Sequence, residues 1–169
     1  MIKEQPPRPA TLSPAETAVE VQSSSTSVFR VSREIDFCYG HRLLNYDGKC
    51  RHLHGHNGRA VITIESSSLD NRGMVMDFSD IKRVVSSWID ENLDHRMLLC
   101  KRDPYVQILK DLGEPLFLLD ENPTAENICK LIHEFTASRG FPIVETQLWE
   151  TPHCFATYRA ARYVPGEAN

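Results

Sequence analysis

The chain has 169 residues, 41% of them hydrophobic, enough to build the core of one globular domain. Nineteen Lys and Arg against 23 Asp and Glu give a formal charge of -4, which supplies no basic field for a polyphosphate backbone and argues against nucleic acid as a partner. No apolar run reaches the roughly 18 residues of a membrane span, and the opening MIKEQPPRPA lacks an apolar signal stretch, so no membrane partner and a cytoplasmic location are expected.

Residues 1–27 carry Pro6, Pro7, Pro9 and Pro14 and the run from Ser23 to Ser27, with too few large apolar groups to fold alone. They read as a tail, flexible or docked on a neighbour through Val19 and Val21, ahead of a single domain over 28–169. Phe29, Val31, Ile35 and Phe37 alternate with Arg30, Ser32, Glu34 and Asp36, interrupted once by Arg33, which predicts a strand ending near Phe37. The β-branched run Arg59 to Glu65 predicts a second strand, joined to the first as a hairpin with a long loop.

Phe78, Ile81, Val84, Val85, Trp88 and Ile89 recur at helical spacing and predict an amphipathic helix from 78 to about 92, capped by Asp77 or Ser79. A second helix starts at Thr124, with Glu126 in its first turn and Ile128, Leu131, Ile132 and Phe135 as its stripe, and ends at Gly140. Ile143 to Tyr158 reads as two strands broken at Thr151 and Pro152. The order strand, strand, helix, helix, strand, strand predicts a two-layer α+β domain with an antiparallel sheet.

Four of the seven histidines fall in GHRLLNYDGKCRHLHGHN. Spacing of two on a strand aims His54 and His56 at one face, and His41 can supply a third imidazole from the neighbouring strand. Three neutral imidazoles suit zinc and leave a fourth position open, the arrangement of a catalytic site. His52 shares the parity and could replace one of them. A cupin-type site fails, because its glutamate would fall where Ala60 and Val61 stand. A closed structural zinc using Cys50, four residues before His54, is the remaining rival.

The five cysteines form no CxxC pair, so neither a disulfide framework nor a zinc ribbon is expected. Cys50 beside a cation would have a lowered thiol pKa and could serve as a base. Asp94 and His95 can form a proton-relay couple or simply end a helix. Glu150, in the apolar context LWETP, is a candidate carboxylate for the N–H edge of a guanidine-like heterocycle. Cys38, Cys100, Cys129, Cys154 and His133 are expected to be packing residues.

GHRL at 40–43, CRHLHGHN at 50–57, MDFSDIK at 76–82, LDH at 93–95, NPTAEN at 122–127 and WET at 149–151 together resemble the 6-pyruvoyl- and 6-carboxytetrahydropterin synthases, in order, over residues 29–159. The resemblance implies the T-fold, a four-stranded antiparallel sheet with two helices on one face. Three such subunits close a barrel, and two rings stack into a homohexamer. It implies Zn2+ on His41, His54 and His56, Cys50 as general base, Asp94 and His95 as the second proton-transfer group, and Glu150 as pterin anchor, with Thr151 as an added contact. The implied substrate is 7,8-dihydroneopterin triphosphate, whose side-chain hydroxyls the zinc would chelate, acidifying the neighbouring C–H bonds.

Two segments depart from the compact members: the tail before Val28, and the stretch from Arg96 to Glu121. Three residues separate Cys50 from HGH, giving CxxxHGH, whereas the pyruvoyl-forming relatives carry a longer interval. Each residue spans up to about 3.5 Å, so the base would reach a different bond. The expected reaction is therefore carbon–carbon cleavage to 6-carboxytetrahydropterin with release of acetaldehyde and triphosphate, as in queuosine-type deazapurine synthesis. The alternatives are a 6-pyruvoyltetrahydropterin synthase and a non-catalytic, zinc-stabilised binding module.

Overall fold

The computed structural model describes residues 27–160. The tail expected over 1–27, with Val19 and Val21, lies outside them except for Ser27. β1 (Phe29–His41) and β2 (His54–Ser66) form the hairpin, paired antiparallel without a break from Phe29 opposite Ser66 to His41 opposite His54. Both strands run farther toward the loop than their β-branched cores suggest. The alternation continues through Tyr39 to His41, all on the buried face with Ile35 and Phe37. Pairing therefore carries the HxH sequence into the sheet instead of leaving it ahead of the strand.

β2 also pairs antiparallel with β5 (Ile143–Thr151), and β5 with β6 (Cys154–Tyr158). These are the four antiparallel strands expected, with the break at Thr151 and Pro152 where the sequence places it. The sheet is wider than four, in the order β4-β3-β1-β2-β5-β6. The stretch after Asp94 builds β3 (Arg96–Cys100), helix α3 (Tyr105–Asp111) and β4 (Leu116–Leu119). β3 runs parallel to the end of β1, and β4 parallel to β3. RMLLC and LFLL are apolar runs too short to show a period, so the sequence pattern does not separate them from loop.

The first helix is α1 (Phe78–Ile81) running through a π-helical turn, Lys82–Ser86, into α2 (Ser87–Asn92). Asp77 is its cap, accepting from the backbone N–H of Ser79. Ile81, Val85 and Ile89 are fully buried, whereas Phe78, expected in the stripe, is exposed at the first turn. Helix α4 (Ala125–Ser138) is capped by Thr124, which accepts from Asn127 N–H, and stops where Gly140 takes a left-handed φ of 82°. Trp88 stacks on Phe135 at 4.2 Å between centroids, locking the two helices together. Their apolar faces join Ile35, Phe37, Ile62, Ile64 and Leu148 in one core.

Of the residues expected to be plain packing, Cys100, Cys129 and His133 are buried. Cys129 donates to the Thr146 carbonyl at 2.9 Å, and burial pushes its thiol pKa up to about 12, which makes it inert. Cys38 and Cys154 correct the expectation: both are exposed, Cys38 on the side of β1 away from the core and Cys154 at the start of the edge strand.

Candidate active site

Antiparallel pairing sets His54 directly opposite His41, and His56 opposite Tyr39, so all four rings project from one face at the end of the hairpin. The imidazole centroids lie 4.4 Å (His41–His54), 5.1 Å (His41–His56) and 5.1 Å (His54–His56) apart, and one ligand nitrogen from each ring falls within 4.8 Å of the others. Nδ1 of His41 donates to the Pro123 carbonyl at 2.7 Å and Nδ1 of His54 to the His52 carbonyl at 2.8 Å. A carbonyl only accepts, so both rings carry their proton on Nδ1 and present the Nε2 lone pair inward.

His41 Nε2 is buried and has no hydrogen-bond partner. Burial holds its pKa below the ordinary imidazole value, against the opposing pull of the Pro123 carbonyl and Glu150, and so favours the neutral ring. A neutral, fixed and unpartnered lone pair facing two other imidazoles fits a divalent transition metal. His52 is not a fourth member: its ring lies outside the group, with Nε2 accepting from Arg51 Nε at 3.2 Å. Cys50 is likewise outside this group of ligand atoms.

Glu150 rises from β5 beside the imidazoles. Its Oε1 accepts from the Tyr39 hydroxyl at 3.0 Å and lies 3.8 Å from His41 Nε2 and 4.0 Å from His56 Nε2. Burial, then the charge of Glu150 and this hydrogen bond, push the Tyr39 pKa well up. Tyr39 escaped the sequence reading because the strand was expected to stop at Phe37. Its signal was the parity it shares with Phe37 and His41.

Cys50 sits half-buried in a single 3-10 turn, Lys49–Arg51, anchored by its carbonyl accepting from Leu43 N–H at 2.8 Å. It lines a cavity of about 350 Å³ with His41, Tyr46, Thr124, Phe155 and Glu150. Asp94 and His95 are not in that cavity. They are clasped to the outer edge of β1: Cys38 N–H donates to Asp94 Oδ1 at 2.7 Å, and His95 N–H to the Cys38 carbonyl at 2.6 Å. Asp94 Oδ2 receives His95 Nδ1–H at 2.6 Å, leaving Nε2 of a ring whose side chain is 78% exposed.

Burial opposes ionisation of Asp94, but the Cys38 N–H and His95 outweigh it and hold the carboxyl below its ordinary value. His95 adopts a left-handed φ of 53°, a conformation that costs a non-glycine residue energy and recurs at functional positions. Asp94 lines a larger cavity on the open side of the sheet with His56, Glu150 and Thr151. The Thr151 hydroxyl accepts from the N–H groups of His153 and Cys154, so it closes the β5–β6 turn.

Among the described residues no helix is long and apolar enough to cross a membrane. Residues 30–161 match the family described as 6-pyruvoyl tetrahydropterin synthase. A 6-carboxy-5,6,7,8-tetrahydropterin synthase of Rickettsia bellii is 36% identical over 135 residues, covering 76% of this chain and 98% of that protein. One of Haemophilus influenzae is 31% identical over 140 residues, covering 78% and 99%. Among solved structures, an uncharacterized protein of Wolinella succinogenes superposes with a TM-score of 0.67 at 25% identity, covering 80% of this chain and 99% of that one. The 6-pyruvoyl tetrahydropterin synthase of Caenorhabditis elegans gives 0.60 at 23% identity, covering 80% and 97%, and likens the fold alone.

Proposed function

The chain belongs to the 6-pyruvoyl tetrahydropterin synthase family, and from that premise we propose that it is a zinc-dependent lyase converting 7,8-dihydroneopterin triphosphate to 6-carboxy-5,6,7,8-tetrahydropterin, with release of acetaldehyde and triphosphate. The curated relatives of Rickettsia bellii and Haemophilus influenzae carry that product in their names. The observation that carries the reading is the set of three imidazoles with ligand atoms within 4.8 Å of one another, next to the Glu150 carboxylate, with one of them, His41, lining a cavity with Cys50.

His41, His54 and His56 would hold Zn2+, which when bound supplies Lewis acidity at the side-chain hydroxyl oxygens. Glu150 receives the N–H edge of the pterin through charge-assisted hydrogen bonds. Cys50 takes the proton from the side chain. His95, oriented through Nδ1 by Asp94, exchanges a proton at its exposed Nε2, and Thr151 adds a contact near the ring. Three imidazole ligands leave a coordination position for substrate, which a structural zinc would not need.

The assembly is proposed to be a homohexamer of two stacked trimers. The synthase domain is proposed to span 28–169 and to work in the cytoplasm. The test is metal dependence of turnover. Consumption of 7,8-dihydroneopterin triphosphate should stop when zinc is chelated and return when it is restored, and undiminished turnover in metal-free protein would overturn the reading.

A further inference from the structure

We propose that Tyr39 is a positioning residue for Glu150: its hydroxyl fixes the carboxylate as a substrate anchor and keeps it from becoming a fourth metal ligand. The inference rests on the reading of Glu150 as the pterin anchor. Tyr39 lies on the same sheet face as the three imidazoles, stacked on Phe37 at 5.3 Å and edge-on to His41 at 5.4 Å. Its ring passes over Gly58. A Cβ there would stand 2.8 Å from Tyr39 Cε1 and 3.3 Å from Cδ1, so the ring occupies a notch that only glycine leaves open. The notch lets the hydroxyl reach Glu150 Oε1 at 3.0 Å.

That same oxygen is 3.8 and 4.0 Å from the Nε2 atoms of His41 and His56. Ligand atoms on a tetrahedral zinc are roughly 3.3 Å apart, given bonds of about 2.0–2.1 Å. Oε1 thus needs to move by only about 0.5 to 0.7 Å relative to His41 and His56 to reach ligand spacing. A bound dication would draw an unrestrained carboxylate inward, filling the open position and removing the anchor together. The Tyr39 hydroxyl occupies one acceptor lobe of Oε1 and opposes that movement, and Oε2, which has no hydrogen bond among the described residues, stays free for the pterin edge.

The experiment compares wild type, Tyr39→Phe, Glu150→Gln and the double variant, all full-length. The readouts are binding of neopterin, steady-state kinetics with 7,8-dihydroneopterin triphosphate, and the visible spectrum of the Co2+-substituted proteins. Tyr39→Phe should weaken neopterin about tenfold, the loss expected for one hydrogen bond to a charged group, with KM rising by more than kcat falls. Its Co2+ spectrum should change and return to the wild-type form in the double variant. In the Glu150→Gln background, removing the hydroxyl should cost nothing further.

Unchanged neopterin binding and an unchanged Co2+ spectrum in Tyr39→Phe, with binding lost in Glu150→Gln, would overturn the proposal and leave the anchor standing. Wild-type binding by Glu150→Gln would overturn both. Should Tyr39→Phe fold poorly, Gly58→Ala displaces the ring while keeping the hydroxyl and should reproduce the weakened binding, whereas wild-type binding by it would count against the proposal.

Discussion

His41 Nδ1 and the carbonyl oxygen of Pro123 are 2.7 Å apart, 82 residues distant in sequence. The contact is held by Asn122, whose side-chain amide both accepts from Leu44 N–H at 2.8 Å and donates to the Leu44 carbonyl at 2.9 Å. Leu44 adjoins Leu43, whose N–H binds the Cys50 carbonyl. One asparagine thereby staples the start of α4 to the β1–β2 loop, which carries the proposed base and joins the two strands of the metal face.

Asn122→Ala should therefore loosen the Pro123 carbonyl that orients His41 and lower zinc affinity, by up to the roughly 10- to 100-fold that losing the outer partner of a ligating histidine costs. Chelator competition measures it. A merely structural role would lower the melting temperature and leave the affinity of the folded protein untouched.

Cys50→Ala should retain zinc and the fold while turnover falls by roughly 10²- to 10⁴-fold, because a base is removed and not a ligand. Metal content and rate are measured on the same sample. Loss of zinc in this variant would favour the structural-zinc reading.

Glu150→Gln should raise the dissociation constant for neopterin with little effect on unfolding, since volume is kept while the charge-assisted bonds to substrate are lost. Equal binding would remove Glu150 from the anchor role.

The pH dependence follows from two imidazoles. Burial lowers the pKa of both His41 and His133 below the ordinary value. The unfolded chain therefore binds more protons than the folded one between about pH 6.5 and the lower folded values, and the metal-free protein should lose stability as pH falls through that window. Denaturation midpoints between pH 7.5 and 5 measure the slope. His133 contacts Thr146, not the metal group, so His133→Asn should flatten part of the slope, and a slope unchanged by it would assign the whole effect elsewhere.

Much of this architecture was legible because period and capping are local. The alternation from Phe29, the 3.6-residue recurrence from Phe78, and Thr124 ahead of Ala125 each need only a few neighbouring residues. His41, His54 and His56 were legible through parity. The partners that orient them were not. Pro123 and Asn122 reach His41 and Leu44 only through tertiary packing, and the Tyr39–Glu150 bond joins residues 111 apart. The β3–α3–β4 segment stayed hidden for a different reason: its strands are five and four residues long, and parallel pairing to β1 leaves no turn signature beside them.

Product analysis bears most directly on the central claim. Zinc-loaded protein given 7,8-dihydroneopterin triphosphate should release acetaldehyde and triphosphate in step with 6-carboxytetrahydropterin, each resolved by chromatography and mass spectrometry. Accumulation of 6-pyruvoyltetrahydropterin without acetaldehyde, or no turnover by a zinc-loaded and folded protein, would contradict it.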